Sequence, residues 1–456
     1  MKIKVELDSL GKKILDDIES NGGKVYLVGG LIRDLVINGK SDYHDIDVEI
    51  FNMELNTLEA ILSKYGDVKT VGKSFGILKV STLKNYDFAL PRIEAKTGKT
   101  HKDFDVTVDK DLSLQKASIR RDITINALMY EYSTREVLDF YHGLEDVKHH
   151  TIRLVNKDTF KEDPLRVLRV AQFASRLEFT VEPITLKECR TMVQQGMLKD
   201  LSNERIFEEY NKLLTSSRPS IGLKFLNEIN ALPRCLQALQ HTRQRLDFHP
   251  EGNVLNHTIL VVDLAALCKN KTSNPLGFMW GALLHDIGKP VVTSIEGHAP
   301  RHAEVGLDVF NEEMNRIIQG DDLKKYIKTM IKYHMRLSTM SRRNSSDYKY
   351  LVLLSKIKGV MPLNDLVLMT KCDKLGRLRD GHKDIEVLNS YLDDKINRLG
   401  DTALDPYISG EDLFELGVKQ GPKFKELIDW SYDLQMRKHS KEDIIRMLKE
   451  EVENDK

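Results

Sequence analysis

The stretch from Val25 to Ile50 restricts what this chain can fold into more than any other. Val25-Tyr26-Leu27-Val28 is a short apolar run that predicts a buried strand, Gly29-Gly30 break it, and residues 31–38 predict a helix. After a polar loop, Asp45-Ile46-Asp47-Val48-Glu49-Ile50 alternates with period two. In a strand, residues i and i+2 share a face, so the carboxylates of Asp45 and Asp47 point the same way. Two like charges that close are costly unless cations sit between them. A Gly-Gly turn opening a helix offers backbone N–H groups to a phosphate. Strand, glycine turn, helix and acidic strand together describe a place to hold a metal-bound nucleoside triphosphate. An isolated D-x-D is usually a pair of solvated acids. Its position on an alternating strand beyond a GG-x-x-RD turn favours the metal, and with it two-metal phosphoryl or nucleotidyl transfer. Asp87, in a strand expected over 86–90, is either a third metal carboxylate or a surface acid.

Around this stretch the pattern predicts an α+β sheet domain, with strands at 25–28, 45–50, 67–71, 76–82, 86–90 and 136–140 and helices over 31–38, 54–64 and 119–130. From Phe160 onward apolar residues recur at three and four (Leu165, Leu168, Phe173, Leu177), so the rest is expected to be mainly helical. A chain of 456 residues is long enough for two to four domains. Its 69 Lys and Arg balance 69 Asp and Glu, so no global field argues for nucleic acid, and such a partner must be met by a local basic surface. The four cysteines are scattered, with no C-x-x-C, which suits a reducing compartment. The first residues lack the apolar core of a signal peptide, and no apolar run approaches the roughly 20 residues that span a bilayer. The expectation is a cytoplasmic protein with no membrane partner.

Two further stretches carry chemistry. In Arg120-Arg121-Asp122-Ile123-Thr124-Ile125-Asn126, polar and apolar residues interleave at helical spacing, so one edge can face a ribose and phosphates while Ile123 and Leu128 pack. Arginine suits phosphate because its planar fork meets two oxygens at once. In Glu162-Asp163-Pro164-Leu165-Arg166, Asp163 starts a helix as its cap. Asp163 and Arg166 also lie three apart and can share a helix face. A carboxylate beside a guanidinium can copy a base's pairing edge, accepting from the exocyclic amine of cytosine or adenine and donating to the neighbouring acceptor.

Together GG-x-x-RD, D-x-D, RRD-x-x-x-NA, the Asp139-x-x-x-Gly143 turn with Asp146, and ED-x-x-R resemble the class II tRNA nucleotidyltransferases, a family that includes CCA-adding enzymes and bacterial poly(A) polymerases. The match runs from about Val25 to Leu214 and ends in Asn203-Glu204-Arg205-Ile206 and its helix. The resemblance implies a polymerase-β-like nucleotidyltransferase head over 1–154 and a helical neck with a nucleotide-templating helix over 155–245. It implies addition of C, C and A to tRNA 3′ ends from CTP and ATP without a nucleic-acid template. Carried over by position, Asp45 and Asp47 hold Mg²⁺; Gly29, Gly30 and Arg33 meet the triphosphate; Arg121, Asp122 and Asn126 meet the nucleotide. Asp163 and Arg166 select the base, and Arg169 lies one turn on. Gln172 stands where some relatives place another arginine. The polar segment 88–104 resembles the family's flexible loop, which helps the site switch from CTP to ATP.

In the second half, His257 opens an apolar helix and His285-Asp286 end another; a buried His-Asp pair needs partners for both side chains. His257, His285, Asp286 and Asp373 resemble the HD-superfamily phosphohydrolases, with His302 and His334 joining if two metals are held. That resemblance implies an HD-type helical domain over 246–400 with a divalent metal, hydrolysing phosphate esters, and a helical tail over 401–456. The expected partners are tRNA, ATP and CTP, with a homodimer left open. An A-adding enzyme or a poly(A) polymerase is the alternative within the same chemistry. An RNA-binding protein in which only the HD domain is active is the alternative from another class.

Overall fold

The computed structural model describes residues 1–40, 43–71, 76–96, 104–378 and 381–454. It comprises two compact units, Met1–Leu232 and Pro233–Lys456. Part of the expected switching loop, residues 97–103, lies outside the described residues.

The first unit opens with α1 (Ser9–Ser20), β1 (Lys24–Val28), α2 (Gly30–Asn38), β2 (Ile46–Phe51), α3 (Leu55–Ser63), β3 (Val68–Val71), β4 (Ile77–Val80), β5 (Leu83–Ala89), β6 (Arg92–Lys96) and β7 (Phe104–Val108). It continues through α4 (Leu114–Ser118), β8 (Met129–Glu131), β9 (Glu136–Leu138), α5 (Gly143–Lys148), β10 (Thr151–Ile152), α6 (Lys157–Glu162), α7 (Leu165–Leu177), β11 (Thr180–Val181), α8 (Pro183–Gln194), α9 (Asn203–Leu214) and α10 (Ser220–Glu228). Seven strands form one mixed sheet in the order β3-β4-β5-β2-β1-β8-β9. Period-two alternation decides which face each side chain takes. Val25, Leu27, Val48 and Ile50 turn to the side of Ile14, Leu15, Ile18 and Leu58 and form the buried core. Asp47 and Glu49, the intervening residues, are left on the opposite face. The pairing of β2 with β5 is parallel and sets Asp47 opposite Asp87, so sheet register alone brings the third acid beside the first two.

Two expectations change. The segment between β5 and the RRD stretch is not wholly loop, because β6 and β7 pair as an antiparallel hairpin, Arg92 opposite Val108. Residues 119–130 are not a helix: α4 ends at Ser118, Thr124–Asn126 make one 3₁₀ turn, and Met129–Glu131 is strand. Local and tertiary bonds defeat the helical periodicity here. Asp122 Oδ1 accepts from the Ile123 N–H at 2.9 Å, the Thr124 N–H donates to the Arg153 carbonyl, and Met129 to Glu131 pair with β1. Gly143 explains how α5 packs beneath this turn. A Cβ there would lie 2.5 Å from the Thr124 carbonyl oxygen. Asp139 caps α5 by accepting from the Gly143 and Leu144 N–H groups, and Asp146 accepts from Thr124 Oγ1 at 2.6 Å and from Arg153. Both acids of that motif therefore hold the scaffold under residues 122–126.

The second unit is helical: α11 (Arg234–His241), α12 (Val254–Cys268), α13 (Pro275–Leu284), α14 (Lys289–Val292), α15 (His302–Val309), α16 (Asp321–Tyr333), α17 (Arg336–Arg342), α18 (Asp347–Ile357), α19 (Leu363–Leu375), α20 (His382–Leu399), α21 (Gly410–Glu415), α22 (Pro422–Met436) and α23 (Lys441–Asn454). α13 is apolar all round and buried from Gly277 to Leu284, as a helix at the centre of a bundle must be. Among the described residues no helix is long and apolar enough to cross a membrane.

Candidate active sites

On the polar face of the sheet, carboxylate oxygens of Asp45, Asp47 and Asp87 lie within 4.8 Å of one another. Burial raises the Asp47 carboxyl above its ordinary value; Arg121 opposes this, and Asp45, Asp87 and Glu49 add to it. Lys79 Nζ sits 2.5 Å from Asp87 Oδ1. Three crowded carboxylates fit a divalent cation, and the all-oxygen donor set suits Mg²⁺. Gly29 makes room for them: its φ is +76°, and a Cβ there would stand 2.7 Å from Asp47 Oδ2.

Next to the acids the nucleotide-facing residues form one bonded network. Glu49 is buried, and its Oε1 accepts from Arg120 Nη2 at 2.5 Å and Arg121 Nη2 at 2.9 Å. Burial alone would raise Glu49, but the two guanidinium groups bring it below its ordinary value. Arg33, also buried, donates through Nε to Asp34 and through Nη1 to Asn126 Oδ1 at 2.8 Å. Asn126 Nδ2 donates to Asp122 Oδ1 at 2.9 Å, and Arg169 Nε donates to Asp122 Oδ2 at 2.7 Å. Arg33 and Arg169 both lie over the Phe173 ring, 5.1 and 5.2 Å from its centroid.

At the start of α7, Asp163 Oδ1 accepts from the Leu165 N–H at 3.1 Å and Oδ2 from Arg205 Nη2 at 2.7 Å. Arg166 donates to the carbonyls of Thr159, at 2.6 Å, and Arg120, at 2.5 Å. These bonds fix both side chains without exhausting them, since each carboxylate oxygen has a second lone pair and each terminal guanidinium nitrogen a second hydrogen. Gly29, Gly30, Arg33, Asp47, Arg121, Asp122, Asn126, Asp163, Arg166 and Arg169 all line a single cleft of about 360 Å³. The acid end and the base-edge end thus share one hollow. Arg205 also lines it. It stands in the Asn203-Glu204-Arg205-Ile206 stretch, where nothing local marks it; only the packing of α9 on α7 carries it to Asp163. Gln172 is buried in α7.

The second constellation lies wholly within the second unit. His257 Nε2 is 3.0 Å from Asp373 Oδ1, and His257, His285 and Asp373 offer donor atoms within 4.8 Å of one another. Asp286, His302 and His334 form an equivalent group. His285, His302 and His334 each place Nδ1 2.8 Å from the carbonyl oxygen three residues before, at Ala282, Ala299 and Ile331. A carbonyl can only accept, so each Nδ1 carries a hydrogen, and the tautomer this selects presents Nε2 as the ring's ligand atom. Yet the Nε2 atoms of His302 and His334 face each other at 3.3 Å, with Asp286 Oδ1 3.4 and 3.6 Å away. The Nε2 of His285 is buried and makes no directed hydrogen bond. Acceptors turned on one another in a dry interior fit a bound cation, and mixed imidazole and carboxylate donors suit a divalent transition metal. Glu251, not singled out in the sequence, completes the surroundings: its Oε1 is 3.1 Å from His257 Nδ1 and 2.8 Å from His249 Nδ1.

Family models match the regions that hold the two constellations. The family described as the poly A polymerase head domain matches residues 25–153, the probable RNA and SrmB-binding site of polymerase A matches 178–241, and the HD domain matches 254–378. The chain is 31% identical over 363 residues to a multifunctional CCA protein of Aliivibrio salmonicida (strain LFI1238), covering 78% of this chain and 86% of that one. It is 30% identical over 418 residues to a multifunctional CCA protein of Xanthomonas euvesicatoria pv. vesicatoria (strain 85-10), covering 89% and 96%. Its fold is similar to that of a Thermotoga maritima CCA-adding enzyme solved in complex with tRNA, with a TM-score of 0.59, 18% identity, and 97% and 95% of the two chains covered.

Proposed function

The chain belongs to the multifunctional CCA protein family of tRNA nucleotidyltransferases, and on that premise we propose that it adds C, C and A to tRNA 3′ ends from CTP and ATP, with no nucleic-acid template. The observation that carries this is the one cleft lined by both Asp47 and the Asp163–Arg166 couple. In the proposed reaction the tRNA 3′-oxygen forms a bond to the α-phosphorus of the nucleotide, and the bond to pyrophosphate breaks. Asp45, Asp47 and Asp87 would hold Mg²⁺, which when bound supplies acidification of the 3′-hydroxyl and neutralisation of the leaving group. Gly29 and Gly30, at the start of α2, and Arg121 orient the triphosphate. Asp122, Asn126 and Arg33 brace one another beneath the ribose. Asp163 accepts from the exocyclic amine shared by cytosine and adenine, and Arg166 donates to the adjacent acceptor.

The test is to incubate tRNA lacking CCA with CTP and then ATP and to read product length. Three added residues are expected, and none with Asp45→Ala. A single added A or a long A tail would replace full CCA addition with the A-adding or polymerase reading. No incorporation would sink the proposal.

A second activity is supported by the facing imidazoles of His302 and His334. We infer that the second unit hydrolyses phosphate esters, 2′,3′-cyclic or 3′-terminal ones, with a divalent metal held by His257, His285, Asp286 and Asp373, and a second by Asp286, His302 and His334. Asp286→Asn should abolish that hydrolysis and leave nucleotide addition intact; retained hydrolysis would exclude the site.

A further inference from the structure

The chain is neutral as a whole, with 69 basic residues against 69 acidic ones, but one surface of the second unit is not. Along α16 and into α17, Lys324, Lys328, Lys332 and Arg336 recur every four residues, the spacing that stacks side chains on one face of a helix. Two hollows, of about 590 and 380 Å³, have Lys332, Tyr333 and Lys356 in both their walls, so they form one continuous groove. Arg343 and Lys349 line its far end. Among the described residues none of these seven cations forms an ion pair, and Asp321 is the one carboxylate in the groove's walls.

Several surface cations elsewhere on the same unit are matched: Arg398 and Lys438 pair with Asp347, Arg437 with Asp433, and Arg234 with Glu313. Like charges four apart on a helix repel one another, and although Lys328 and Lys332 lie over the rings of Phe310 and Tyr333, a groove of cations without carboxylate partners favours a polyanion. Successive charges on α16 are about 6 Å apart along the axis, comparable to the step between phosphates on one strand. Tyr333 and Tyr348 are half-buried in the walls, with Lys332 Nζ 5.5 Å from the Tyr333 centroid and the Arg437 guanidinium 4.4 Å from that of Tyr348, so the rings hold cations at the groove. A long groove with spaced cations and aromatic walls fits a nucleic-acid strand. A lipid surface asks instead for projecting apolar side chains beside the basic ones.

We propose that the α16–α18 groove binds the phosphate backbone of the RNA substrate, an assignment that rests on the tRNA reading above. Direct binding tests it. The affinity of the full chain for tRNA lacking CCA is measured across a salt series, for wild type and for Lys332→Gln/Arg336→Gln/Arg343→Gln. Each lost phosphate contact lowers the slope of log affinity against log salt by roughly 0.7 to 0.9, so the triple variant should lose about two units of slope. Its affinity at physiological salt should fall on the order of tenfold. The charge-preserving Lys332→Arg/Arg336→Lys/Arg343→Lys variant should bind as wild type, and the KM for ATP should be unchanged in both. Equal affinity and slope for wild type and the triple Gln variant would overturn the proposal. So would intact tRNA binding alongside lost binding to anionic phospholipid vesicles, which would assign the groove to a membrane. Because binding is read separately from incorporation, tRNA binding with this slope but without nucleotide addition would sink the CCA-adding reading and leave the groove standing.

Discussion

Asp122 shows how much the head asks of a single carboxylate. It serves Asn126, Arg169 and the Ile123 N–H at once. Burial would raise its carboxyl, but the Arg169 charge and these bonds win and hold it at about 2, against an ordinary 3.8. With the folded value below the unfolded one, the linked stability is fully present above about pH 4 and is lost as pH falls through about 2. It amounts to roughly 2 kcal/mol. Asp122→Asn should therefore lower the melting temperature at pH 7, and the gap to wild type should close between pH 4 and pH 2. A gap still open at pH 2 would mean that the shape of the side chain matters and its charge does not. Asp122 and Asn126 were legible in the sequence from their spacing of four, although a turn and a 3₁₀ step bring them together where a helix was expected. Arg205 and Glu251 were not legible. Each acts on a residue that only tertiary packing or a loop brings near, and neither position has a periodicity to betray it.

At the scale of elements, close approach decides where the metal-competent groups stand. Gly288 lies between His285-Asp286 and α15. A Cβ there would strike the His302 carbonyl oxygen and come within 2.5 Å of the Gly306 nitrogen. Gly288→Ala should push α15 outward and carry His302 away from Asp286. Overpacking of this kind costs about 1 to 3 kcal/mol. In a calorimetric titration with Mn²⁺ the variant should lose one of two binding steps; two unaltered steps would show that α15 does not set the second site. Strand β1 was readable as a continuous apolar run buried on both faces, and β2 from its period-two alternation. The β6–β7 hairpin was not, because Arg92 to Lys96 begins a polar, Gly-containing stretch and its pairing with Phe104–Val108 is set across residues far apart in the chain. Helix 119–130 was misread because residues 129–131 complete a sheet whose partner lies a hundred residues earlier, in β1.

For the whole molecule, the two units each carry their own candidate site and their own buried core, so heating should report them separately. Calorimetry should resolve two transitions, one raised by CTP with Mg²⁺ and the other by a transition metal. Each gain should be about 2.7 kcal/mol when the ligand is at a hundred times its Kd. A single transition raised equally by both ligands would contradict that independence. The boundaries expected from the sequence, near 154, 245 and 400, differ from the single division at Leu232 and Pro233, and the basic run from Lys332 to Arg343 was visible in the sequence without deciding between a solvated face and a phosphate contact. One detail of the second unit reaches furthest. Three imidazoles are each tied to a carbonyl of their own helical turn, so the donors stand ready before any ion arrives. Uptake then asks only that the ion shed its water. On the proposed metal reading, the element bound there follows the supply of ions around the protein, and a change of growth medium exchanges one for another without refolding a single helix.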